Sequence, residues 1–271
     1  MKKAIFIPLF LACYSLVGGT NLKIIFSPID SNPVSPVFAI DTVAIGRVLY
    51  QQDVQLGEEI PKNGTSVLLF NAGYSLYFSL DAPKDSKTVI EDNMAPRTIT
   101  GDKCGFPYFK MHREQKIFYR ARCINKKETC LVEDTLGAIA WLLQPEHKRF
   151  GKFDCRRATG LFRGREYEAW YTLEIPIPSG PFKFGGLPGL ILELQSTDGK
   201  VKFLFSYLEI GPGISLAIKV PPGENSGLNY NTYAQANWER INDIVKKHRA
   251  AGSEITISPS QEVIELWEVH K

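Results

Sequence analysis

In two stretches, Arg165–Ile177 and Leu190–Ile210, apolar and polar side chains alternate, and this period of two constrains the fold more than any other feature of the chain. In REYEAWYTLEIPI, Tyr167, Ala169, Tyr171, Leu173 and Ile175 fall on one face, and Glu166, Glu168, Trp170, Thr172 and Glu174 on the other. Successive side chains of a strand point to opposite sides, so the pattern predicts a half-buried β-strand. Pro176 and Pro178 lack amide donors, and pairing is expected to stop there. LILELQSTDGKVKFLFSYLEI repeats the pattern: Leu190, Leu192 and Leu194 share a face, then Val201, Phe203, Phe205 and Tyr207. Between them Asp198-Gly199 predicts a two-residue hairpin turn.

The same style extends upstream. FAIDTVAIGRVLYQQDVQL, TSVLLFNAGYSLYFSL, QKIFYRARC, TCLVED and GAIAWLLQPEHKRFGKFDCRRA set β-branched and aromatic residues between turn formers. One helix stands out, NTYAQANWERINDIVKKHRAAG, with Asn231 or Thr232 placed to cap it and Gly252 to end it. Tyr233, Ile241, Ile244, Val245 and His248 lie near one stripe. The expected fold is mainly β: a curved antiparallel sheet, half-barrel or sandwich-like, with one packed C-terminal helix. Curvature is inferred from the glycine and proline punctuation.

GPFKFGGLPGLILEL, residues 180–194, is rich enough in glycine to suggest a phosphate loop. A phosphate loop needs lysine and a hydroxyl after its last glycine, or a helix whose amides face the anion. Here Leu190, Ile191 and a strand pattern follow Gly189. A turn fits better: Pro188 sets φ at the second position, and Gly189 is expected to supply the positive φ of a type II turn. Gly185 and Gly186 permit a bend or a close approach.

The chain opens with MKKAIFIPLFLACYSLVGG, in which Lys2 and Lys3 precede an apolar run from Ala4 to Val17. This reads as an export signal, shorter than the ~20 residues that span a bilayer. Residues 1–39 are assigned to the signal and a spacer, and residues 40–271 to a single β-rich domain. Cleavage is open between Gly18/Gly19 and a site after Ala39, and Cys13 leaves lipidation as an alternative. No transmembrane helix is expected in the mature chain. Removing residues 1–39, with Lys2, Lys3 and Lys23 against Asp30, lowers the formal charge from +3 to +1. That balance offers nothing to a nucleic acid. Cys104, Cys123, Cys130 and Cys155 remain, an even number that favours two disulfides in an exported chain. CINKKETC reads as a hairpin tip and suggests Cys123–Cys130, leaving Cys104–Cys155.

Several short blocks then carry a family resemblance. Cys155 stands with Arg157-Ala158, Gly164-Arg165, Trp170-Tyr171-Thr172, Ile175-Pro176 and Gly180-Pro181, ahead of Gly186-Leu187-Pro188-Gly189-Leu190-Ile191. Over roughly residues 141–194 the chain resembles the GLPGLI family of exported and envelope proteins from bacteria with an outer membrane. The resemblance implies export to the periplasm, outer membrane or cell surface, and a β-rich fold. It implies no reaction and assigns no catalytic residue.

Catalytic motifs are absent from the sequence: there is no G-x-S-x-G, H-E-x-x-H or C-x-x-C. His112, His147, His248 and His270 stand apart, and no metal or cofactor is expected. Cys155 beside Arg156 and Arg157 would be a nucleophile only if unpaired. Lys148, Arg149, Lys152, Arg156, Arg157, Arg163 and Arg165 are interleaved with Glu146, Asp154, Glu166 and Glu168. That cluster reads as a solvated sheet face or as a surface for an anionic partner. Asp41-Thr42-Val43 and Asp134-Thr135-Leu136 fit a short bacterial O-glycosylation pattern. The expected function is non-catalytic binding of an apolar ligand or an outer-membrane protein, with a motif-less hydrolase as the alternative. Tyr167, Tyr171, Leu173, Leu192, Phe203 and Phe205 are the candidate ligand liners, and could equally be core.

Overall fold

The computed structural model describes residues 40–55, 61–80, 87–90, 97–100, 107–122, 129–214, 216–221 and 224–250. Sixteen strands precede one helix among them: β1 (Asp41–Val43), β2 (Gly46–Gln55), β3 (Pro61–Phe70), β4 (Tyr74–Ser79), β5 (Lys87–Ile90), β6 (Arg97–Thr100), β7 (Tyr108–Met111), β8 (Lys116–Arg122), β9 (Thr129–Thr135), β10 (Leu142–Phe150), β11 (Phe153–Phe162), β12 (Arg165–Thr172), β13 (Leu190–Ser196), β14 (Val201–Ile210), β15 (Ala217–Lys219), β16 (Glu224–Asn229) and α1 (Tyr230–Ala250). The fold is mostly β. Twelve strands form one sheet in the order β10-β11-β12-β13-β14-β2-β3-β4-β7-β8-β9-β16. Every pairing in it is antiparallel except β16 on β9. Two ribbons, β1-β15 and β5-β6, stand apart from it.

The sheet is strongly curved. β11 and β9 are nine strand positions apart, which on a flat sheet would separate them by about 43 Å. Arg163, in the turn just past β11, nevertheless bonds to Asp134 of β9 across 2.7 Å. The two flanks have curled toward each other without hydrogen-bonding into a barrel. The concave face holds the larger core cluster, including Tyr50, Phe70, Tyr119, Tyr167, Tyr171 and Phe203. The opposite face of the central strands carries a second cluster, with Leu69, Phe109 and Phe118, covered by Ala44, Ile214, Ile218 and Val220.

Several strand patterns resolve differently from expectation. β12 stops at Thr172 rather than running to Ile175, so Leu173 falls in a turn and is 41% exposed. Past Phe205 the alternation in β14 fails, because a bulge shifts the register from Phe205↔Tyr50 to Tyr207↔Leu49 and leaves Tyr207 exposed. The β13–β14 turn occupies residues 197–200, not two residues. Gly199 lies at φ 71° and donates to Ser196 O. α1 is capped by Asn229, whose Oδ1 accepts the Thr232 amide at 2.9 Å, two or three residues before the cap expected at Asn231 or Thr232.

Candidate functional site

The segment between β12 and β13, residues 173–189, is a connection that lies largely inside the sheet, with Leu173, Glu174, Pro176, Gly186 and Pro188 exposed. Ile175, Ile177, Phe182, Phe184 and Leu187 are all in the larger core cluster. The Phe182 ring centroid lies 4.6 Å from Tyr108 of β7, and that of Phe184 lies 4.6 Å from Tyr167 of β12 and 5.1 Å from Phe162 of β11. The segment therefore fills the hollow of the curved sheet and touches both flanks. We call it the inner loop. Each phenylalanine so buried contributes about 1.5–3 kcal/mol.

A buried loop must still satisfy its backbone. Part of this is internal: Phe184 N–H donates to Pro181 O, Gly186 N–H to Pro178 O, and Ile191 N–H to Ser179 O. The rest comes from side chains. Lys110 of β7 is fully buried, and its Nζ donates to Gly180 O at 2.6 Å and to Phe184 O at 2.9 Å. Trp141 Nε1 donates to Gly185 O at 2.9 Å. Desolvation holds the Lys110 amine well below its ordinary pKa.

A hydrogen-bonded chain continues from there. Ser179 Oγ lies 2.7 Å from Ser75 Oγ of β4, and Ser75 Oγ lies 3.0 Å from His112 Nε2. His112 Nδ1 faces Ala72 O at 3.2 Å. The carbonyl requires a proton on Nδ1, so Nε2 accepts from Ser75 and Ser75 accepts from Ser179. Burial lowers the His112 pKa to about 4, and Lys110 adds to the effect, so the ring is neutral at pH 7. A serine hydroxyl bonded to a neutral imidazole is the geometry of a nucleophile and base. Here Ser75 and Ser179 are both fully buried beneath the inner loop, and in this conformation the chain positions the loop.

A second lysine points the other way. Lys183, at the tip of the inner loop, lies 3.1 Å from Asp134 Oδ2, and both side chains are buried. Its Nζ sits 4.2 Å from the Tyr119 ring and 4.7 Å from the Tyr230 ring that opens α1. The loop is thus held by a lysine of the sheet that reaches its carbonyls and by its own lysine that reaches a carboxylate of the sheet. Lys110, His112 and Lys183 were not singled out by sequence. A lysine inside YFKM, between Phe109 and Met111 in a strand pattern, was the available signal for the first.

Of the candidate liners, Tyr167, Tyr171, Leu192 and Phe203 are buried in the core and Phe205 packs partly against it. Tyr167 meets the inner loop directly. Leu173 is a correction: it lies outside the hollow. Gly185 and Gly186 do bend against another segment, Leu136 and Gly137 of the β9–β10 connection, with Gly186 at φ 83°. The type II reading of Pro188-Gly189 is a second correction, because Gly189 has no positive φ. Its need is space: an added Cβ would stand 2.0 Å from Thr172 O.

Cys155 is a third correction, being a free, fully buried thiol rather than half of a disulfide with Cys104. Burial pushes its pKa up to about 12, aided by Asp154, Glu174 and Glu193, so the adjacent arginines do not make it a thiolate. Cys130 is buried in β9, while Cys104 and Cys123 lie outside the described residues. The flanks of CINKKETC do form a hairpin, with Arg122 opposite Thr129.

The basic cluster is largely neutralised on the sheet. Arg157 bonds to Glu168 and Glu146, Lys148 to Glu193, Arg165 to Asp198 and Arg163 to Asp134. His147 pairs with Asp154 on the exposed face. Among the described residues no three metal-ligating side chains come together, and no helix is long and apolar enough to cross a membrane.

Residues 162–193 match the family model described as a protein of unknown function (Porph_ging). The matched stretch runs from the end of β11 through the inner loop into β13. No curated protein matches the chain. Solved structures similar to part of it include two of the same protein. "Structure of PNGF-II in P21 space group" matches at 15% identity and a TM-score of 0.45, over 62% of this chain and 28% of that one. "Structure of PNGF-II in C2 space group" matches at 15% identity and a TM-score of 0.44, over 61% and 27%. The chain thus spans little more than a quarter of those proteins.

Proposed function

We propose that this is an exported, non-catalytic envelope protein that binds an outer-membrane protein through its outer surface. The GLPGLI resemblance and the apolar leader support export. The hollow that a half-barrel would offer to an apolar ligand holds the chain's own inner loop, which favours a protein partner over a lipid or peptide guest.

The observation that carries the reading is an apolar tip at one end of the sheet. Ala44 N–H donates to Leu216 O and Gly211 N–H to Ile45 O, which brings residues 43–45 against residues 210–216. Ala44 and Ile214 turn into the core. Their neighbours turn out: Val43 is 57% exposed, Ile45 48%, Ile210 50% and Leu216 40%. Strand alternation normally places polar residues there, and an exposed aliphatic group of this kind marks a contact surface.

The test is site-specific photo-crosslinking in envelopes of the native host. A photoreactive residue at Ile45 is expected to capture one outer-membrane protein that the same residue at Glu166 does not. Equal labelling from both positions contradicts the reading. The Ser75–His112 contact supports a hydrolase as the second reading. Covalent capture of Ser75 by a fluorophosphonate probe would establish it.

A further inference from the structure

We propose that Lys183 and Asp134 condense into an intramolecular isopeptide bond that fastens the inner loop to β9. Three features of the site argue for chemistry beyond an ion pair.

First, the two groups are in contact. Lys183 Nζ stands 3.1 Å from Asp134 Oδ2, an oxygen that accepts no hydrogen bond and is therefore not held by another donor. Second, the other oxygen is already held. Oδ1 accepts Arg163 Nη2 at 2.7 Å and the Thr135 amide at 2.8 Å. Two fixed donors on one oxygen form the arrangement that stabilises a tetrahedral oxyanion. Third, the site is dry. The lysine side chain is 0% exposed and the aspartate 4%, with Tyr119, Tyr230 and Phe182 around the amine. Burial of both groups disfavours the reverse hydrolysis.

The step balances without a further reactant. Lys183 and Arg163 outweigh the effect of burial and keep the Asp134 carboxyl below its usual range, so the carboxyl starts ionised. One proton passes from the ammonium to Oδ2, leaving an amine and a carboxylic acid. The nitrogen lone pair attacks Cγ, and negative charge collects on Oδ1 between Arg163 and the Thr135 amide. A second nitrogen proton moves to Oδ2, the Cγ–Oδ2 bond breaks, and water leaves. An Nζ–Cγ amide remains, with no change of oxidation state. Arg163 slows the first proton transfer and assists the attack, so a reaction over the life of the folded protein fits the site better than one in a catalytic cycle.

The experiment is an intact mass of the full chain, purified and fully reduced so that no disulfide contributes. The expected mass is one water molecule below that of its sequence, and tryptic digestion is expected to yield a branched peptide joining Lys183 to Asp134. Lys183→Met is expected to restore the full mass, while Arg156→Ala, an exposed change, retains the loss. A native chain at its full sequence mass overturns the proposal. So does a water loss that persists in Lys183→Met.

Discussion

A Cβ at Gly189 would stand 2.0 Å from the carbonyl oxygen of Thr172. The obstacle is backbone at the end of β12, where Thr172 pairs with Leu190, and neither side can give without breaking that pairing. Gly189→Ala is therefore expected to destabilise the protein by about 3 kcal/mol or more. Gly199 is the control, since nothing lies within 4 Å of its added Cβ, although its φ is 71°. Gly199→Ala is expected to cost only about 1–2 kcal/mol. Thermal unfolding of both variants separates crowding from conformation, and similar losses would contradict the close-approach account.

Lys110 supplies two of the inner loop's backbone partners, Gly180 O and Phe184 O. Lys110→Met keeps the volume and removes both donors. Each buried carbonyl left unpaired costs about 1–3 kcal/mol, offset in part because the amine no longer has to be buried. A net loss of about 2–4 kcal/mol is expected, read in urea as a lower midpoint with an unchanged slope. An unchanged midpoint would show that the lysine does not hold the loop.

His112 gives the fold a pH dependence with a definite sign. Its folded pKa is near 4 against 6.5 unfolded, chiefly because burial disfavours the charged ring. The unfolded chain therefore binds more protons between those values. The contribution of His112 is complete above about pH 6.5 and is lost as pH falls toward 4, about 3 kcal/mol in all. Depressed carboxyls such as Asp134, Glu168 and Asp198 act lower, below their unfolded values near 4. Unfolding free energies between pH 4.5 and 6.5 are expected to slope in the native chain and to flatten in His112→Gln.

Much of this fold was legible in the sequence. Tyr167, Ala169 and Tyr171, and later Leu190, Leu192 and Leu194, announce their strands because burying one face enforces a period of two. Long-range facts were not. The bulge that exposes Tyr207 and the turn that exposes Leu173 are set by partners far along the chain, and local alternation carries no trace of them. Gly189 looked like a residue chosen for its φ, whereas Thr172 O makes it a residue chosen for its size. Nothing local marks Lys110 and Lys183 as interior, because lysine is almost always solvated. Only the curling of β9 toward β11 makes them interior.

The apolar tip calls for surface substitutions. Ile45→Ser and Ile210→Ser remove exposed aliphatic area from residues 48% and 50% accessible. Stability is expected to stay within about 0.5 kcal/mol of the native chain. Retention of the outer-membrane partner in a pull-down is expected to fall together with Ile45 crosslinking. Loss of stability without loss of partner would assign these residues to the fold.

The central claim is that the inner loop, through Ile175, Ile177, Phe182, Phe184 and Leu187, fills the core of the sheet and occupies the place a ligand would take. Native-state hydrogen exchange at the amides of Phe184, Gly186 and Ile191, which donate to Pro181 O, Pro178 O and Ser179 O, tests it most directly. The account predicts that these amides exchange only through global unfolding, as slowly as those of β12 and β13. Exchange as fast as that of the exposed residues Ile210 and Leu216 would show a loop that opens by itself, and would contradict it.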